Sequence, residues 1–104
     1  MITDQRAEEA FEWLNGHTKA IGAAKAELER AKIMQKRIRN RLYLSAEGAV
    51  EKRKATADIN TQAEEADERY CKAVEVYESL TATQSVETIA LDVWRTESAN
   101  RRRA

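Results

Sequence analysis

The sequence predicts an all-α protein, an antiparallel helical hairpin of coiled-coil type with a short helix between two long ones. Three observations predict it. The 104 residues include no proline, three glycines and 35% charged side chains, a mixture that favours long helices. Runs of β-branched and aromatic residues, which strands need, are missing. Small and apolar residues recur at seven-residue spacing, and charge blocks of opposite sign occupy the two halves of the chain.

The first helix is expected over about residues 4–47. Thr3 or Asp4 can cap its first orphan amides, and Glu8, Glu9 and Glu12 suit the positive end of the helix dipole. Its seam has Ala7, Leu14, Ile21, Leu28, Gln35 and Leu42 at one heptad position. Ala10, His17, Ala24, Ala31, Ile38 and Ser45 stand at the other. Six heptads in phase are a coiled-coil signal. Asn15-Gly16 and Gly22 are weak points, since each glycine costs about 1 kcal/mol against alanine. The seam keeps its phase across them, so one bent helix is expected. Gly48 suits a left-handed C-cap.

A short helix is expected over about 49–58, interrupted by Asn60 and Thr61. Thr61 and Glu64 have capping-box spacing and mark the start of a helix over about 62–100, followed by a basic tail at 101–104. Its seam reads Ala63, Ala66, Tyr70, Ala73, Tyr77, Leu80, Gln84, Glu87, Leu91, Trp94 and Ser98. The stretch Thr81-Ala82-Thr83-Gln84-Ser85 forms helix poorly. It is read as helical, with a break there as the alternative. The whole chain reads as a single helical domain.

Charge sets the direction. Residues 30–54 carry nine basic and two acidic side chains, and residues 58–78 carry seven acidic and two basic. The first twelve residues are net negative and the last ten net positive. A hairpin puts opposite signs side by side, whereas a parallel pair opposes like signs. The expected register pairs residues whose numbers sum to about 108, so that Leu14 meets Trp94, Leu28 meets Leu80 and Ile38 meets Tyr70.

The formal net charge is zero, which argues against a general nucleic-acid coat but leaves room for a local basic patch. With six aromatics, one copy buries only a thin core. Dimerisation into a bundle is therefore expected, burying a second apolar stripe. The lone Cys71 has no partner for an intrachain disulfide. Residues 1–10 show no basic segment followed by an apolar run, and no apolar stretch nears the roughly 18 residues of a membrane span. A cytoplasmic protein is expected, with no membrane partner.

Catalysis needs constellations that this sequence lacks. His17 is the only histidine, at a seam position with no cysteine or second histidine nearby, and a polar seam residue commonly sets register. Glu64, Glu65, Asp67 and Glu68 lack the Glu-x-x-His spacing of a di-iron bundle and read as a solvated face. No phosphate loop, HExxH or CxxC occurs. The expectation is a protein that is not an enzyme, with no cofactor, metal or small-molecule substrate.

Binding residues are the better candidates. Lys36, Arg37, Arg39, Arg41, Lys52, Arg53 and Lys54 gather positive charge at one tip of the hairpin, with Tyr43 among them to stack on a base. The competing reading is that the acidic face of the last helix neutralises them. Val93 and Trp94 form a candidate protein interface if the hairpin leaves them uncovered. Arg101 to Arg103 read as a short basic tail.

The segment Leu91-Asp92-Val93-Trp94-Arg95-Thr96-Glu97-Ser98-Ala99-Asn100-Arg101 resembles the C-terminus of small helical proteins encoded by temperate bacteriophages and prophages of proteobacteria. A long first helix closing in Arg41-Leu42-Tyr43-Leu44, then Glu47-Gly48 and a charged segment, is also similar. The resemblance covers about half the chain. Such proteins sit among recombination and replication genes, and no catalytic or binding residue transfers from them. The resemblance implies a phage origin and an accessory role in the host cell. The leading expectation is a non-enzymatic phage protein that binds a recombination or replication protein, or nucleic acid. The alternatives are an inhibitor of a host nuclease or defence complex, with the acidic face from Asp58 to Glu78 mimicking nucleic acid, and a structural virion component.

Overall fold

A computed structural model describes residues 1–103. Three helices account for nearly all of them: α1 (Asp4–Ser45), α2 (Val50–Asp58) and α3 (Thr61–Arg103). The chain is all-α, and no strand occurs among the described residues. No helix among them is long and apolar enough to cross a membrane.

Local chemistry fixes the helix ends. The Thr3 hydroxyl accepts the Arg6 amide at 3.0 Å, which satisfies one of the four amides that open a helix. The first helix closes at Ser45, two residues earlier than expected, and Gly48 follows in the left-handed region with φ 106°. An added Cβ there would stand 3.0 Å from Lys52 Cδ, so the Lys52 side chain packs over this glycine. At the start of α3 the cap is Asn60, not Thr61. Its Oδ1 accepts the Gln62 amide at 2.8 Å, and its carbonyl accepts the Glu64 amide.

The last helix also runs unbroken through 81–85. Its hydroxyls turn back on the helix: Thr83 donates to the Ser79 carbonyl, Ser85 to Thr81 and Thr88 to Gln84. These side chains favour turns when they compete with the backbone ladder. Here they donate to carbonyls a turn earlier and leave the ladder intact. The arginines at 101–103 belong to the helix rather than to a separate tail. They stand at its negative end, where cations are favoured.

The described chain divides into two compact units, residues 1–23 with 78–103 and residues 24–77. In the first unit α1 and α3 lie antiparallel: the Ile2 amide reaches Glu97 and Arg6 reaches Glu87. Ala7, Ala10, Ala90 and Leu91 form its core, with Ile2, Leu14 and Trp94 packed against them. Trp13 and Trp94 both belong to this unit, as a hairpin requires. In the second unit Glu27 pairs with Arg69 and Arg39 with Asp67 and Asp58, again antiparallel. Its core consists of Ala24, Ala31, Ala57, Ala63, Ala66 and Ala73.

Of the α1 seam residues only Ser45 is exposed, and of the α3 seam residues only Gln84. The seams are as the heptads place them, but the register differs. Arg6 meets Glu87 and Glu27 meets Arg69, where the charge-derived register sets Arg102 and Thr81, whereas Arg39 meets Asp67, within two residues of that register. An alanine-rich seam presents nearly the same surface after a slip of whole heptads. Charge blocks therefore fix its direction more firmly than its register.

Candidate nucleic-acid interface

The second unit holds all seven basic candidates, but it does not gather them into one patch. Arg39 has a structural position. Its guanidinium donates two bonds of 2.7 Å to the Asp67 carboxylate and one of 3.1 Å to Asp58. Gln35 donates to the same Asp67 oxygen at 2.8 Å. One side chain thus ties α1 to both α2 and α3. Bidentate pairing with a carboxylate is the strong form of this contact. The Arg39 bonds, helped by Gln35, hold the Asp67 carboxyl down at about 2, and the two carboxylates push the Arg39 pKa up.

Beside this anchor lies a groove of about 330 Å³ lined by Arg39, Asn40, Tyr43, Lys54, Ala57 and Asp58. The guanidinium of Arg53 stands 5.9 Å from the Tyr43 ring centre, within cation–π range. The Arg53 Nε is buried and has no hydrogen-bond partner among the described residues. Such a donor is uncommon in a folded protein and calls for an explanation. Lys36 precedes Tyr43 by seven residues and so lies on the same flank of α1. Lys36, Lys52 and Lys54 are exposed, with no ion pair among the described residues.

Arg37 faces elsewhere. It lines a separate hollow with Arg30, Ile33, Met34 and Arg69. Arg41 is exposed and lines neither. Among the nine basic residues between 30 and 54, only Arg30 and Arg39 form ion pairs. The acidic face of α3 therefore engages Arg39 and leaves the other six candidates unpaired. Glu64, Glu65 and Glu68 are exposed and also without ion pairs among the described residues.

The candidate protein interface divides as well. Trp94 is half-buried in the first unit, and its indole N–H donates to Asp4 Oδ1 at 2.8 Å. It packs against the core of that unit and lines a surface groove with Phe11 and Arg95. Val93 stays exposed and shares a stripe of α3 with Val86 and Ile89, which are 57% and 61% exposed. The i, i+3, i+7 spacing of Val86, Ile89 and Val93 was the available signal.

His17 stacks on Trp13 with ring centres 4.1 Å apart, and its Nδ1 is 2.7 Å from the Trp13 carbonyl oxygen. Both contacts are made one turn back within α1. Cys71 is exposed. Among the described residues no three His, Cys, Asp or Glu side chains are grouped to hold a metal.

Comparison with protein-family models, curated proteins and solved structures gives no match. The functional reading rests on the residues and their geometry.

Proposed function

We propose that this is a non-enzymatic phage accessory protein that binds nucleic acid through its second unit. One observation carries the reading: a tyrosine-lined groove has Lys54 on its wall and Arg53 beside the Tyr43 ring, and the acidic helix leaves both unpaired. Phosphate contacts position a nucleic acid and supply sequence-independent affinity. Lys36, Lys52, Arg53 and Lys54 supply such contacts, and Tyr43 offers a face for an unstacked base. A single-stranded partner suits a groove of this size better than a duplex. The zero net charge limits the affinity, and the phosphate contacts make it salt-dependent. The resemblance of residues 91–101 to phage proteins supports the setting, a role in recombination or replication within the host cytoplasm.

A labelled single-stranded oligonucleotide titrated at several salt concentrations tests this. About four phosphate contacts predict a log–log salt slope near −3. Reversing Lys36, Lys52 and Lys54 to Glu lowers the affinity on all sequences and flattens the slope by about 0.7 per lost contact. Absence of binding at low salt refutes the reading.

The exposed, unpaired Glu64, Glu65 and Glu68 favour a second reading, mimicry of nucleic acid towards a host nuclease. In that case the triple Glu→Gln variant at these positions abolishes nuclease inhibition while the lysine variants retain it.

A further inference from the structure

The first unit has an exposed stripe whose occupant can be named. Its core contains three alanines and one leucine, and no large side chain in the described chain is fully buried. So thin a core leaves the stripe beside it uncovered, and a second copy of the same chain can cover it.

We propose that Val86, Ile89 and Val93 on α3 form the seam of an antiparallel, two-fold symmetric α3–α3 contact in a homodimer. A two-fold interface pairs one patch with itself. With Ile89 on the axis, Val86 of one copy faces Val93 of the other, and the apolar stripe covers itself without remainder. The same register sets the Arg101–Arg103 turn of one copy beside Glu78 of the other. That match is specific, because within one chain these arginines have no carboxylate partner among the described residues. Arg101 and Arg102 bond only to Ser98, through its hydroxyl and its carbonyl. Glu78 is exposed. Charge at the flanks of such a seam selects its orientation. The contact leaves Trp94 packed against its own core and uses none of the residues that line the groove beside Tyr43, so it goes beyond the binding reading.

Sedimentation equilibrium at tens of micromolar tests the proposal. The expected mass is twice 11.8 kDa. Ile89→Asp, an exposed position, leaves helical circular dichroism unchanged and weakens association about 30-fold or more, as loss of a central contact does. Glu78→Arg weakens association at low salt, and Arg101→Glu with Arg103→Glu in the same chain restores it. Ile89→Cys in a Cys71→Ser background cross-links the two copies on mild oxidation. A wild-type chain that sediments at 11.8 kDa overturns the proposal. So does a dimer that persists in Ile89→Asp and fails to cross-link.

Discussion

The two units are built from the same two long helices and hold together differently. The first unit packs Leu91, Trp94, Ile2 and Leu14 around small residues and adds one ion pair between the helices, Arg6 with Glu87, at 2.6 Å. The second buries only alanines and relies on polar cross-links from Gln35, Arg39 and Arg69 to Asp67, Asp58 and Glu27. Where apolar contacts dominate, an apolar stripe stays exposed. Where polar contacts dominate, surplus cations stay exposed.

Close approach through alanine is common to both units, so overpacking should produce the largest effect. Ala10 and Ala63 are fully buried. Replacing either with Leu forces the helices apart and costs about 1–3 kcal/mol. Thermal unfolding followed by circular dichroism measures this. A neutral Ala63→Leu together with a damaging Ala10→Leu would show that the second unit is looser than its alanine seam implies.

The glycines of the first unit come next. Nothing lies within 4 Å of a Cβ added at Gly16 or Gly22, and both are within α1. Gly16→Ala and Gly22→Ala should each stabilise by about 1 kcal/mol. For a domain of this size that raises Tm by about 4–8 °C. An unchanged Tm would mean that α1 is not continuously helical at these positions.

The smallest effect is electrostatic and belongs to the second unit. Asp67→Asn removes the acceptor for Arg39 and costs about 1 kcal/mol or less, because both side chains are partly solvated. The Asp67 carboxyl titrates at about 2 in the folded chain, below the roughly 3.9 of an unfolded one. Its stabilisation is therefore complete above about pH 4 and vanishes as the pH falls through about 2. Denaturant midpoints of wild type and Asp67→Asn should differ at pH 7, narrow towards pH 2 and converge below it. A difference as large at pH 2 as at pH 7 would assign the loss to packing.

Much of this was legible in the sequence. Heptad spacing located both seams, because a residue's face follows directly from the 3.6-residue period. Opposed charge blocks gave the antiparallel direction. The register was not legible: alanines offer little shape to distinguish one heptad from the next. The capping role of Asn60 was missed because Thr61 and Glu64 matched a stronger pattern. At the site, charge count identified the basic region, but pairing is a three-dimensional property. Only the structure separates Arg39, which holds three helices together, from Lys36, Lys52 and Lys54, which face outward. The same holds for Trp94, whose bond to Asp4 spans 90 residues of sequence.

The central claim is that the exposed charge of the second unit, and not the apolar stripe of the first, meets nucleic acid. Backbone amide chemical shifts recorded during titration with a single-stranded oligonucleotide at low salt test it most directly. The account predicts shifts concentrated at Lys36, Tyr43 and residues 52–54, with Val86, Ile89 and Val93 unmoved. Shifts confined to Val86 through Val93, or none at all, would contradict it.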